Sequence, residues 1–238
     1  MPTIPRLYIE AALAPGATIA ATPAQARHLG TVLRARAGDP VHLFNGRDGE
    51  WAARIATLQR ALLALTVCEQ RRPQLPESDL WLAFALLKRD TTDLVVQKAT
   101  ELGVAELHPV LSERTNAART NLDRLAAIAV EAAEQCERLT VPVIHPPRPL
   151  AELLAAWPRE RALYAAIERA AGTPPLRPRP TTRPAALLVG PEGGFTQDEL
   201  EAMTRHTFVT PVSLGPRILR AETACVAGLA LLQAPPCG

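Results

Sequence analysis

Aromatic side chains are scarce in this sequence: Phe, Trp and Tyr make up only 4% of its 238 residues. A core must therefore come from Ala, Leu, Val and Ile. Hydrophobic residues reach 47%, which excludes a disordered polymer and allows one large domain or two small ones. Lysine is almost missing, with only Lys88 and Lys98, so the basic charge is nearly all arginine. With abundant Ala and Pro, that bias reads as GC-rich coding rather than function. Cysteine is sparse, and Cys68, Cys136, Cys225 and Cys237 show no CxxC or other metal spacing, as expected of reduced thiols. The histidines His42, His108, His145 and His206 form no HxxxH or metal-ligand grouping, so no metal is expected. No apolar run approaches a membrane span, and the opening MPTIPRLYIE lacks the apolar region of a signal peptide. A soluble, cytoplasmic protein without a membrane partner is expected. Charge of one sign is lacking too. The net charge is +2, too small to mark a nucleic-acid binder by itself. Residues 1–80 hold 9 basic and 7 acidic groups and the rest 17 of each, so the slight excess sits in the first segment.

What is present divides at residues 71–79, RRPQLPESD, a polar stretch with two prolines. Before it, the pattern is β-rich. Residues 39–51, DPVHLFNGRDGEW, carry Asn45-Gly46 and Asp48-Gly49, which supply the positive φ of tight hairpins. Residues 52–55 and 61–67 read as further strands, and 23–33 as one short helix, a pattern that fits a small barrel. After the boundary, strands and helices alternate. Strands are predicted at 80–86, 104–111, 185–189 and 208–214. Helices are predicted at 92–102, ended by Gly103, at 121–139, from Thr196 with Glu199 completing a capping box, and at 222–233. This alternation predicts an α/β domain with a largely parallel sheet. The proline-rich stretch 172–184 reads as an exposed connection without chemistry.

Ligands on parallel sheets bind at the carboxyl ends of strands. Two such ends carry glycine here, GPEGGF at 190–195 and LGPRILR at 214–220. Glycine lets a ligand approach the backbone closely; each loop alone is equally well a tight turn. Two such loops after consecutive strands, with RAETA opening a helix, favour a binding site. No GxxxxGK[ST] is present, which excludes a P-loop, and no GxGxxG follows the first strand, which excludes an ordinary dinucleotide fingerprint.

The segments LVVQKATELGV (94–104), HPVLSERT (108–115), EAAEQCERLTVP (131–142), LLVGPEGGFTQDEL (187–200) and VSLGPRILRAETA (212–224), in this order and spacing, resemble the RsmE family. RLYI (6–9) and HLGTVLRARAGDPVHLFNGRDGEW (28–51) extend the resemblance over nearly the whole chain. One departure is KRD at 88–90, where the family has KGD, which questions the local loop path at Arg89. The resemblance implies a PUA-like RNA-binding β-barrel (1–72) followed by a SPOUT methyltransferase domain (73–238), α/β and trefoil-knotted, an exception to the avoidance of threaded chains. It implies an S-adenosylmethionine-dependent homodimer that methylates N3 of a uridine near the 3′ end of 16S rRNA in the small ribosomal subunit.

By motif, Gly190, Pro191, Glu192, Gly193 and Gly194 would form one wall of the cofactor site. Leu214, Gly215, Ile218 and Leu219 would form the other, with Leu188 near the adenine. Uracil N3 is protonated at neutral pH, so transfer needs a base, an anion stabiliser, or both. Arg220 is the first candidate for holding a uracil oxygen or adjacent phosphate, and Arg114 the second. Arg217 and Glu192 also lie near the loops. Glu222 is a candidate base, although a carboxylate there is more often a helix-dipole partner, and solvent is the alternative. In the first domain, Arg6, Arg27, His28, Arg34 and Arg36, with Arg217 from the second, are candidate RNA contacts; the alternative is a solvated charged face. Cys136 is expected to pack, not attack. The small, apolar 226–232 suits burial against a partner subunit or within one subunit. Two other functions stay open: a ribose 2′-O-methyltransferase of the same superfamily, and a non-catalytic RNA-binding ribosome-assembly factor.

Overall fold

The computed structural model describes residues 4–60, 62–116, 119–167, 172–177 and 184–234. Cys237 and part of the proline-rich connection, 178–183, lie outside the described residues. The chain forms two compact units. Unit 1 comprises Met1–Pro76 and Ala133–Val141, and unit 2 comprises Glu77–Ala132 and Pro142–Gly238.

Unit 1 is built on β1 (Arg6–Tyr8), β2 (Thr18–Ala21), β3 (Pro40–Phe44), β4 (Glu50–Leu58) and β5 (Leu63–Arg72). These join in one sheet of order β1-β3-β4-β5-β2, with β1 parallel to β3 and the other pairs antiparallel. The β3–β4 hairpin turns through Gly46 and Gly49, at φ +76° and +79°, where the Asn-Gly and Asp-Gly dipeptides predict it. Gly49 is also a close approach: a Cβ there would lie 2.2 Å from the Arg72 carbonyl oxygen. Buried Leu29, Val41, Leu43, Leu63 and Leu65 fill the core. The expected helix over 23–33 is a five-residue α1 (Pro23–Arg27), opened by a Thr22–Gln25 capping box, and a π-helical turn over His28–Val32.

Unit 2 is a parallel sheet of β6 (Leu80–Ala85), β7 (Glu106–Leu111), β8 (Val143–Ile144), β9 (Arg148–Pro149), β10 (Ala162–Ala166), β11 (Ala185–Val189) and β12 (Val209–Val212). Its order is β12-β10-β11-β6-β7-β8, with β9 also on β7. The helices are α2 (Arg89–Glu101), α3 (Leu122–Gln135, whose last three residues belong to unit 1), α4 (Leu150–Ala155), α5 (Gln197–Thr204) and α6 (Ala221–Gln233). Arg89 is the first residue of α2, so the position needs no glycine and the departure at KRD leaves an ordinary helix start. Helix α3 stops at Gln135 rather than Leu139. The Arg6 guanidinium donates to the carbonyls of Ala133, Glu134 and Arg138, and Glu137 turns to φ +60°. That guanidinium comes from 127 residues earlier in the chain, so the local periodicity could not reveal it.

The strand order sets the site. From β6 the chain winds outward through β7 and β8, then crosses to β10 and returns to insert β11 beside β6. The order reverses between β6 and β11, which makes their carboxyl ends a topological switch point, the usual place for a ligand on an open parallel sheet.

Candidate active site

Both glycine loops leave carboxyl ends of strands in this sheet, the first from β11 at the reversal and the second from β12, the outermost strand. Buried β11, with Leu188 fully enclosed, runs straight into Gly190. The loop turns tightly as the Gly194 amide donates to the Pro191 carbonyl at 2.8 Å, and α5 starts at once from the Thr196–Glu199 capping box. Gly194 sits at φ +66° and Gly215 at φ +120°, conformations that disfavour any side chain. A Cβ at either would meet nothing within 4 Å, so both loops present bare backbone to open space. Gly190 differs: the Phe195 ring lies 3.0 Å from where its Cβ would be. In the second loop the Gly215 amide donates to the Ser213 hydroxyl at 3.2 Å, and Leu214 and Leu219 are half-buried beside exposed Ile218.

The polar candidates differ in how far they are tied. Arg114 donates through Nη1 to the Gly193 carbonyl at 2.7 Å and packs its methylenes against that glycine. Arg114 therefore steadies the glycine loop. Arg217 and Arg220 are exposed, with no side-chain hydrogen bond or ion pair to a described residue. Arg220 is the N-cap residue of α6 in extended conformation, and its side chain does not cap the helix. Glu222 lies in the first turn of α6, half-buried, and Glu192 is exposed. Sequence reasoning missed three supports. The Glu113 amide donates to the Glu199 carboxylate at 2.9 Å, joining the exit of β7 to the start of α5. Ser112 and Thr115 close the turn that carries Arg114. Residues 174–176 run beside Ser213 through backbone hydrogen bonds of 2.8 Å. Only the Glu199 support left a signal, the capping box itself, and its second partner is 86 residues away.

In unit 1, Arg27, His28, Arg34 and Arg36 are all exposed around the π-helical turn, with Val32 and Leu33 bare between them. Arg6 is a correction. It is only 7% exposed, donates to Glu50 at 2.7 Å and to three backbone carbonyls, and lies 4.4 Å from the Phe44 ring centre. Four of its five N–H donors bond inside unit 1, so it serves there as a clamp. Burial pushes the Glu50 pKa up. The Arg72 and Arg6 hydrogen bonds and charges outweigh that and hold it below the usual carboxylate value.

No spacing groups the histidines in sequence, yet strand pairing brings His108 and His145 together with Glu106, one ligand-type atom of each lying within 4.8 Å of the others.

Comparison with known proteins matches residues 73–233 to an RNA methyltransferase domain family and residues 21–68 to an RNA methyltransferase PUA domain family. The chain is 35% identical to ribosomal RNA small subunit methyltransferase E of Rickettsia conorii, covering 96% of this chain and 94% of that protein. Among solved structures, the Neisseria gonorrhoeae ribosomal RNA small subunit methyltransferase E bound to S-adenosyl methionine matches with TM-score 0.88 and 32% identity, covering 97% of each chain. A Legionella pneumophila methyltransferase with bound SAM matches with TM-score 0.85 and 30% identity, again over 97% of each chain.

Proposed function

The chain belongs to the ribosomal RNA small subunit methyltransferase E family, and from that premise we propose that it methylates N3 of one uridine near the 3′ end of 16S rRNA. The observation that carries the site assignment is the pair of positive-φ glycines, Gly194 and Gly215, facing open space in the loops that leave the carboxyl ends of β11, which borders the strand-order reversal, and of β12. Such bare backbone fits S-adenosylmethionine, whose adenine edge and carboxylate need close amide and carbonyl partners. Gly190, Pro191, Glu192, Gly193 and Gly194 would line one side. Leu214, Gly215, Ile218 and Leu219 would line the other, with Leu188 below. The cofactor supplies a methyl group activated by its sulfonium. The trefoil knot belongs to this proposal, since it would bring the two loops together.

The protein's part is to hold the uracil and stabilise its anion. Loss of the N3 proton spreads charge onto O2 and O4, and a guanidinium aimed there is worth most where water is excluded. Arg220 suits that role because its side chain is free beside the second loop. Arg217 is equally exposed and suits a phosphate. Arg114 is a positioning residue, bound to the Gly193 carbonyl. Glu222 is a candidate to accept the proton; solvent is the alternative. In unit 1, Arg27, His28, Arg34 and Arg36 would contact the RNA backbone. Helices α2 and α6 pack together and leave Leu94 and Val226 exposed, which supports a homodimer interface on this face. No helix among the described residues is long and apolar enough to cross a membrane, and a cytoplasmic site of action is part of the proposal.

The test is the Arg220→Ala variant with 16S rRNA and methyl-labelled cofactor. The expected result is a loss of transfer of about 10²-fold, the scale of removing one anion-stabilising donor, with cofactor affinity nearly unchanged. Equal loss of both would assign Arg220 to the cofactor instead.

A further inference from the structure

Across β6 from β11, in the amino-terminal half of β7, lies a cluster that contains none of the residues assigned above to methyl transfer. Glu106 opens β7, and His108, two residues on, shares its face of the strand. The next strand, β8, pairs Glu106 with Val143 and Leu107 with Ile144, and the His145 amide donates to the Leu107 carbonyl. His145 therefore stands beside His108. The two imidazoles stack, with centroids 4.2 Å apart and planes 9° from parallel. Both point Nε2 at one oxygen: His145 Nε2 is 2.7 Å and His108 Nε2 3.3 Å from Glu106 Oε2.

Only the His145 approach is a hydrogen bond. His108 Nε2 is buried without a hydrogen-bond partner among the described residues, as are Trp81 Nε1 and Arg161 Nε nearby. His108 packs against Trp81 at 4.8 Å and Trp157 at 5.9 Å, and the Arg161 guanidinium stacks on Trp81 at 3.6 Å. A buried imidazole nitrogen left without a partner is costly, and a site that leaves one asks for an explanation.

We propose that Glu106, His108 and His145 bind one late first-row divalent cation, of which zinc is the type. Two imidazoles and one carboxylate are a donor set for such ions, and they leave coordination positions open to solvent. Tetrahedral metal–ligand bonds of about 2.0–2.2 Å put neighbouring ligand atoms roughly 3.3–3.6 Å apart; the 3.3 Å from His108 Nε2 to Glu106 Oε2 meets that separation, and the 2.7 Å hydrogen bond from His145 Nε2 would have to open. The imidazoles are side by side, so a shared ion requires His145 to rotate about its Cβ–Cγ bond. At 31% exposure it has room to do so, and ions have a path in.

The charges set a moderate affinity. Glu106 supplies the negative charge. Arg161 opposes a cation, but Asp79 Oδ2 lies 2.5 Å from its Nη2 and offsets it. Arg148, on β9 beside Val110, also opposes it. Burial first, then the charges of His145, Arg148 and Arg161, bring the His108 pKa down to about 3, which keeps its imidazole neutral, as a metal ligand must be. Bound there, the ion would fasten edge strand β8 to β7 and leave methyl transfer unchanged.

The experiment is calorimetric titration of zinc into the full chain after chelator treatment, with cobalt absorption spectra reporting ligand geometry. One equivalent is expected to bind with a dissociation constant on the order of micromolar. His145→Ala and Glu106→Gln are each expected to weaken binding by about tenfold or more. The triple variant Cys68→Ser/Cys136→Ser/Cys237→Ser, which removes the two exposed thiols among the described residues and the one at Cys237, is expected to bind as the parent does. Absence of zinc binding by the parent overturns the proposal. So does undiminished binding by Glu106→Gln, or loss of binding in the cysteine variant. Circular dichroism of the metal-free variants reports folding; if His145→Ala does not fold, Glu106→Gln decides.

Discussion

Three arginines that look alike in sequence have different physical roles. Arg220 is exposed and unengaged, Arg114 is tied to the Gly193 carbonyl, and Arg6 is buried on Glu50. Their substitutions should separate accordingly. Arg220→Ala should leave unfolding unchanged and lower only transfer. Glu50→Ala should do the reverse, since it strands the Arg6 charge at 7% exposure; a loss of about 3–5 kcal/mol is expected in urea unfolding. The pH dependence follows from the lowered Glu50 pKa. Its contribution is complete above the ordinary value of 4.5 and disappears as pH falls through the lower folded value, so the parent should lose it in acid and the variant should not. Gly194→Ala places a side chain at φ +66°, at an expected cost of about 1 kcal/mol in stability. If the loop holds cofactor as proposed, S-adenosylmethionine affinity measured by calorimetry should fall further than that strain alone requires.

At the scale of elements, helix α6 is seated on β11 through a small residue. A Cβ on Gly228 would come within 2.6 Å of Leu187 Cδ2, and Leu187 is fully buried. Gly228→Ala gains helix propensity of about 1 kcal/mol but overpacks the contact by about 1–3 kcal/mol. Net destabilisation is expected in thermal unfolding, and an unchanged or raised Tm would show that Leu187 yields freely. On β7, His108 has an ordinary pKa of 6.5 and a folded value of about 3. Its contribution to stability is therefore complete above pH 6.5 and declines as pH falls toward 3. His108→Gln should flatten that part of the stability profile, read by urea unfolding at several pH values.

Sequence legibility follows the same scale. The strand at 185–189, the capping box at Thr196 and Glu199, the stop at Gly103 and the hairpin glycines are where local pattern puts them, because each depends on neighbours within a few residues. Helix α4 and strand β10 went unread between the 121–139 helix and the strand at 185, being six and five residues of mostly Ala and Leu with no clear period. The early end of α3, the Glu113–Glu199 tie and the Glu106–His108–His145 grouping depend on partners 37 to 132 residues apart. The glycine loops of the candidate site were legible; the supports that hold them were not.

For the whole molecule, unit 1 carries the exposed basic residues around Val32 and Leu33, and unit 2 carries the bare glycine loops. Division of RNA contact from cofactor contact gives a separable expectation. Joint Arg34→Ala/Arg36→Ala substitution should weaken RNA binding and lessen its salt dependence while leaving cofactor affinity intact, checked by titrations at several salt concentrations. Light scattering should give the mass of two chains if the face bearing Leu94 and Val226 is a dimer interface. The most direct measurement of the central claim locates the transferred methyl group. Small subunits and naked 16S rRNA are incubated with the protein and labelled S-adenosylmethionine, digested to nucleosides and analysed by mass spectrometry, with the site mapped on the RNA. The account predicts 3-methyluridine at one position near the 3′ end; a ribose 2′-O-methyl product, or no transfer to either substrate, would contradict it.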